Sequence, residues 1–274
     1  MSKTAVAVKA ENTAVAVPSF MQNDAGKGLV GISAADMEIP RIKLLQALSP
    51  EMTEFDNLKQ GTFFHSVLEE GLGRYLTIVP IHVSTAYILW NPREAGGGIL
   101  ARADDGVNWD KPNQSFNVKI KGGSTVTWRT GKDVPSSDLI RWGSYNPSDK
   151  DSQPAATKMV NIVAYIDDLP NASPAVITLQ RSSIKVAQKF LAKLSMSNLP
   201  SFGQKVRVEA VQEKNDKGDN YYNYRFSMVG LVTDEGDYNL YKGLFERFKE
   251  IGVKLKDIDG LSDEERPAPT SDHY

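Results

Sequence analysis

The stretch Asn215–Gly230, NDKGDNYYNYRFSMVG, decides how the chain is read. A charged, glycine-containing turn leads into a run where large apolar residues recur at every second position. Period two is the mark of a strand with one buried face. The preceding segment FGQKVRVEAVQEKN (Phe202–Asn215) has the same period, so the two predict a β-hairpin. Alternation sends Tyr222, Tyr224, Phe226 and Met228 to the core, against Val206, Val208 and Ala210 of the partner strand. Tyr221, Asn223, Arg225 and Ser227 fall on the opposite face, as do Lys205, Arg207 and Glu209. Lys205, Arg207, Tyr221 and Arg225 then make an outer surface that is mostly basic and carries one ring. The same residues also describe an ordinary solvated face.

Working outward, SSIKVAQKFLAKLSMS (Ser182–Ser197) predicts a helix. Ile184, Ala187, Phe190, Leu191 and Leu194 form its apolar stripe, Ser182 or Ser183 is placed to cap it, and Lys185, Lys189 and Lys193 line its other face. KMVNIVAYIDD (Lys158–Asp168) and PAVITLQ (Pro174–Gln180) predict two strands before it. DYNLYKGLFERFKEIGVKL (Asp237–Leu255) predicts a second helix with a stripe of Leu244, Phe248, Ile251 and Leu255. Upstream, GTFFHSVLEE and RYLTIVPIHVSTAYILW (Arg74–Trp90) are β-rich. Pro80 inside the longer run implies an edge position, a bulge or a break. NVKIKGGSTVTWR predicts a hairpin around Gly122 and Gly123, and Leu139–Trp142 a short strand or helical turn. MEIPRIKLLQALSPE (Met37–Glu51) reads as either a short helix or an extended arm. Many strands, two helices and no βαβ alternation give a mostly β, or α+β, fold.

Composition narrows the function classes. The 274 residues contain no cysteine, which excludes disulfides, thiolate metal sites and cysteine nucleophiles. A net charge of −2 means that any basic surface must be local. No apolar run reaches the ~20 residues of a membrane span, and a cytoplasmic location is expected. Gly96–Gly98 is not followed by the lysine–threonine pair of a phosphate-binding loop. His65, His82 and His273 lack metal-ligand spacing, and Asp104–Asp105 and Asp167–Asp168 read as turn carboxylates. A non-catalytic protein without metal or cofactor is expected.

Aromatic–basic neighbours recur elsewhere: Trp90 with Arg93, Trp128 with Arg129, and Arg141 with Trp142. Bases stacked on rings and phosphates held by cations are how single strands are bound without sequence preference. Within a strand, adjacent residues take opposite faces, so both members of a pair cannot line one groove. The C-terminal DIDGLSDEERPAPTSDHY (Asp257–Tyr274) is acidic, ends on an aromatic residue and lacks a hydrophobic stripe.

A strand, a helix and a long hairpin in that order resemble the later half of an OB-fold. IPRIKLLQALSPE with GTFFHSVLEEGLGRYLTIVPI, and the segment Ser182–Gly230, resemble phage proteins suspected to bind single-stranded DNA. The tail is similar to those of replication single-strand binders such as that of phage T7, although Arg266, Pro267 and Pro269 interrupt it. The resemblance implies an OB-like five-stranded β-barrel with extra hairpins, one helix between strands and a C-terminal helix. It would occupy residues 36–256, between a flexible leader at 1–35 and a disordered acidic tail at 257–274. The implied function is single-stranded DNA binding in phage replication or recombination. The contacts expected are Lys205, Arg207, Tyr221, Arg225, Trp90, Arg93, Trp128, Arg129 and Arg141. Asp263, Glu264, Glu265, Asp272 and Tyr274 would dock partner proteins, and a homo-oligomer is compatible with this reading. A protein–protein adaptor or structural component of a phage assembly, and a strand-annealing recombination protein, are the alternatives.

Overall fold

The computed structural model describes residues 39–215 and 218–251. The leader at 1–35, the tail at 257–274 and Leu255 of the second predicted stripe lie outside the described residues, and the side chain of Ile251 is not described.

The chain is mostly β, in antiparallel sheets, as expected. Strands β1 (Ile42–Leu44), β2 (Phe63–His65) and β3 (Glu70–Gly71) form a small sheet, with a short helix α1 (Glu51–Glu54) after β1. Met37–Glu51 therefore supplies a strand and the start of a helix. Next come β4 (Tyr75–Trp90), β5 (Ile99–Ala103), the hairpin β6 (Ser115–Lys119)–β7 (Thr125–Arg129), β8 (Ala156–Ile166) and β9 (Ala175–Gln180). Helix α2 (Ile184–Met196) precedes the hairpin β10 (Gln204–Lys214)–β11 (Asn220–Leu231), and helix α3 (Glu235–Ile251) follows it. The main sheet runs β11-β10-β4-β8-β9, with β5 added on β4.

β4 is one continuous strand of 16 residues despite Pro80. Its register with β8 shifts between Pro80 and His82, a bulge. On the other side of β4, β10 pairs only with Tyr75–Ile78 and β5 only with Tyr87–Trp90. Pro80 thus lies between those two ladders, where its missing N–H breaks neither.

One face of the sheet closes over Ile78, Val160, Ile162, Ile177, Val206, Val208 and Phe226, joined by Ile42 and Leu44 of β1. α2 seals this cluster with Ala187, Phe190 and Leu194, the stripe read from sequence. The rings of Phe190 and Phe226 stack with centroids 4.3 Å apart, worth about 0.5–1.5 kcal/mol beyond burial. The residues flanking β1 touch both outer strands of the sheet. Arg41 bridges Val176 of β9. On the far side, the Gln46 side chain accepts from Tyr222 N–H and donates to Tyr222 O of β11, both at 2.9 Å. A segment in contact with both edges requires the sheet to curl around its core. Gly61, at φ +75°, lets the Tyr222 ring lie directly on the backbone, where a Cβ would collide with it.

The opposite face packs against α3. Val79, Ile81, Val163 and Val176 meet Tyr241, Leu244, Phe245 and Phe248, with Phe202 beside them. Residues 91–155, between β4 and β8, have a core of their own around Trp109, Val118, Ile120, Trp128 and Leu139. The expected short turn at Leu139–Trp142 is a 3-10 turn over Asp138–Ile140.

Two side chains of the opening stretch depart from strict alternation. Met228 is 39% exposed rather than core. The β10–β11 register slips between Lys205 and Val206, so Val229 is an extra residue that swings the strand end away from the core. Asn223, assigned to the outer face, is buried: it accepts from Ser183 Oγ at 2.8 Å and donates to Glu213 at 2.9 Å. Ser183 is thereby spent on Asn223, and its side chain makes no capping bond to α2.

Candidate nucleic-acid interface

The outer face of the β10–β11 hairpin is set by its ladder. Glu213 stands opposite Tyr221, Glu209 opposite Arg225 and Arg207 opposite Ser227. β4 extends the face with Tyr75 beside Glu209 and Thr77 beside Arg207. The Arg207 guanidinium lies 4.2 Å from the centroid of the Tyr75 ring, cation–π range. Tyr75 is 56% exposed, making it the most open ring on this face. It was not among the residues read from sequence, because only the long-range pairing of β4 with β10 brings it there. At the same end Arg74 lies 5.6 Å from the Tyr222 ring.

The cations of this face have acidic neighbours. Lys205 Nζ contacts both Asp167 oxygens at 2.9 and 3.1 Å. Arg207 Nε is 2.9 Å from Glu209 Oε1, an ion pair not aligned as a hydrogen bond. Tyr221 donates its hydroxyl to Glu213 at 2.6 Å. The face is therefore mixed in charge rather than mostly basic, because alternation places Glu209 and Glu213 beside the cations. Partly exposed ion pairs contribute only about 0–1 kcal/mol each, so a phosphate can take the place of a carboxylate at small cost. Arg225 is exposed.

The second group of residues lies elsewhere. Trp90 is at the far end of β4 from Tyr75, roughly 50 Å of strand away at ~3.3 Å per residue. Arg93 follows it in an exposed turn. Trp128 is 1% exposed, so it cannot stack on a base; its Nε1 donates to Tyr145 O and its ring packs on Tyr145 at 5.5 Å. Burial of this ring is what gives segment 91–155 its core. Arg129, next on β7, is exposed. Arg141 is exposed and paired with Asp138 at 3.0 Å, and Trp142 beside it is 56% exposed.

The carboxylate pairs serve local roles. Asp105 accepts from Val107 N–H and from both the N–H and the side chain of Asn108. Burial works to raise its pKa, but these bonds outweigh it and hold the carboxyl below its ordinary value. Asp167 belongs to the Lys205 pair. Of the histidines, His65 is buried, accepting from Leu68 N–H at Nδ1 with Nε2 3.2 Å from Ala172 O. His82 is half-buried beside Phe245, and desolvation lowers its pKa.

A family model for the Pam3 phage gp34-like protein matches residues 9–254. The chain belongs to that family. As a Pam3 phage gp34-like protein it is of phage type. No curated protein and no solved structure matches it. The matched span of this gp34-like protein includes the hairpin face and segment 91–155. The tail residues Asp263, Glu264, Glu265, Asp272 and Tyr274 lie beyond that span and outside the described residues. Among the described residues, no helix of the gp34-like chain is long and apolar enough to cross a membrane.

Proposed function

We propose that this gp34-like protein is a non-catalytic, OB-type single-stranded DNA-binding protein of phage replication or recombination. The observation that carries the reading is the connectivity of the main sheet. Three strands (β4, β8, β9) run as a meander, α2 follows the third, and the β10–β11 hairpin packs back on the first. With Arg41 and Gln46, on either side of β1, reaching the two outer strands, this is compatible with the plan of a partly open five-stranded barrel. The hairpin face supplies the chemistry. Tyr75 and Tyr221 offer rings for stacking, and Lys205, Arg207 and Arg225 offer cations for phosphates.

The test substitutes Arg207 and Arg225 with alanine together, with far-UV circular dichroism and melting to show an intact fold. Each lost phosphate contact should flatten the salt dependence of binding to labelled oligo(dT) by about 0.7 in the log–log slope. Unchanged affinity and slope would remove the hairpin face from the interface.

A second reading has its own observation. Met228, Val229 and Leu231 are exposed in succession on β11, an outer strand of the sheet. Exposed apolar edge strands pair with other chains, which suits an adaptor or assembly component. Sedimentation of wild type against Val229→Lys separates the two. An adaptor or oligomer would lose its association while oligo(dT) binding stayed unchanged.

A further inference from the structure

The β6–β7 hairpin carries a charged face separate from the β10–β11 contact. Acids outnumber bases in the chain, 34 to 32. Residues 111–132 reverse that balance, with Lys111, Lys119, Lys121, Arg129 and Lys132 and no aspartate or glutamate. The two strands form a sheet of their own, with Ser115 opposite Arg129, Asn117 opposite Thr127 and Lys119 opposite Thr125. Phe116, Val118, Val126 and Trp128 turn toward the core of segment 91–155, and the other side chains of the two strands are exposed. Thr127 donates to Asn117 Oδ1 at 2.9 Å, holding the amide at the centre of the outer face. A Cβ at Gly122 or Gly123 would meet nothing within 4 Å, so the connecting turn borders open space.

The cations here differ from those of the β10–β11 face. Lys119, Lys121 and Arg129 enter no ion pair among the described residues. The carboxylates on either side of the stretch are engaged by backbone: Asp110 accepts from Arg102 N–H and Asp133 from Ser136 N–H, both at 2.8 Å. A cation with no carboxylate beside it takes a phosphate without giving up a partner.

Shape decides which nucleic acid suits this face. Single strands are held by stacking on rings, and both rings of the hairpin pack into the core. A two-stranded ribbon instead fits the major groove of duplex DNA, about 12 Å wide. Arg129 is level with Ser115, so it lies ~13 Å from Lys119 along the strands at ~3.3 Å per residue. Laid across the groove, the face sets one cation toward each wall of phosphates, with Lys121 continuing beyond Lys119. Ser115, Asn117, Thr125 and Thr127 are short neutral donors and acceptors, the kind that meet phosphates and base edges.

We infer that the outer face of β6–β7 binds the duplex DNA that borders a single strand. This rests on the single-strand-binding reading and adds the form of the substrate, a duplex with a single-stranded overhang. The placement of the two contacts agrees. β10 pairs with the Tyr75 end of β4, whereas Leu89 at the other end joins the core beneath the ribbon. One substrate can therefore occupy both contacts through separate segments. A blunt duplex meets the ribbon alone and gains too few contacts to rival the single strand.

The test follows anisotropy of three labelled DNAs with the full chain: oligo(dT), a blunt duplex, and the same duplex carrying an oligo(dT) overhang. Wild type is compared with the double variant Lys119→Ala/Lys121→Ala, with melting curves to verify folding; Lys119→Ala alone serves if the double variant misfolds. Wild type should bind the overhang duplex about tenfold or more tightly than oligo(dT), the gain of a second linked contact. The variant should lose that gain and flatten the overhang-duplex salt slope by about 0.9 per contact removed, with oligo(dT) binding unchanged. An overhang duplex bound no better than oligo(dT), or bound equally by wild type and folded variant, overturns the duplex contact and leaves single-strand binding standing. An equal loss on oligo(dT) and on the overhang duplex overturns it too, by assigning the ribbon to the single strand. Failure of wild type to bind oligo(dT) overturns the proposed function and this inference with it.

Discussion

Two regions of the main sheet's outer face handle polar groups in opposite ways. On the hairpin face, the charged side chains lie near water and have found partners: Lys205 with Asp167, Arg207 with Glu209, Tyr221 with Glu213. On the β4–β8–β9 face, neutral polar atoms are dry and lack partners at Ser84, Asn161, Gln180 and Trp90. A charge that looks free in a sequence is easily paired by its cross-strand neighbour. An asparagine in an apolar-looking strand is easily overlooked, although burial makes it the costlier group.

The largest expected effect breaks both faces together. Phe190→Ala removes the ring that seals the core under the sheet and stacks on Phe226, and should cost about 3–5 kcal/mol in chemical denaturation. A loss below ~1 kcal/mol would mean that α2 does not hold the sheet in its curl. Next, Asn161→Leu removes the unpartnered Nδ2 but also takes away the acceptor of the Thr178 hydroxyl, so the two effects oppose and stability should change by no more than about 1 kcal/mol. A loss above ~2 kcal/mol in chemical denaturation would show that the amide holds more partners in solution than Thr178. On the hairpin face, Asp167→Asn should change stability by no more than about 1 kcal/mol, since the pair it breaks is partly exposed. Its effect on oligo(dT) should be tighter binding, as Lys205 is released for phosphate.

The smallest effect is one of pH. Burial lowers the pKa of His82 below the ordinary histidine value of about 6.5, so the unfolded chain binds the proton more readily than the folded one. The contribution to stability is complete above 6.5 and is lost as pH falls through the lower, folded-state value. His82 contacts Phe245, which also carries Lys249 over its ring; a second positive charge there should loosen α3. Melting between pH 7 and pH 5 should therefore fall less in His82→Gln than in wild type. Parallel profiles would exclude His82 as the cause.

Much of the fold was legible because period two and period 3.6 are both strong here. The strand β10–β11 pair, the α2 stripe and the β6–β7 hairpin follow directly from spacing. What spacing cannot show is register. The slip at Lys205/Val206 exposed Met228, and only long-range pairing put Asn223 under Ser183. Outside the β6–β7 hairpin, the core of segment 91–155 was not legible, because it is assembled from scattered residues, Trp109, Val118, Ile120, Trp128 and Leu139, with no periodic run. That same core took Trp128 out of reach of a ligand. At the hairpin, alternation carries the cations and Glu209, whereas the pairing of Lys205 with Asp167 and the arrival of Tyr75 depend on strands far away in the chain. Arg181 had no sequence signal at all: it adopts φ +54°, and burial lowers its pKa to about 10.

The central claim is single-strand binding, and a salt titration tests it most directly. Anisotropy of labelled oligo(dT) and of a matched duplex would be measured at micromolar protein and rising salt. The account predicts preference for the single strand, with log affinity falling linearly in log salt at about −0.7 per phosphate contacted. No salt-sensitive binding of oligo(dT), or equal binding of the duplex, would contradict it.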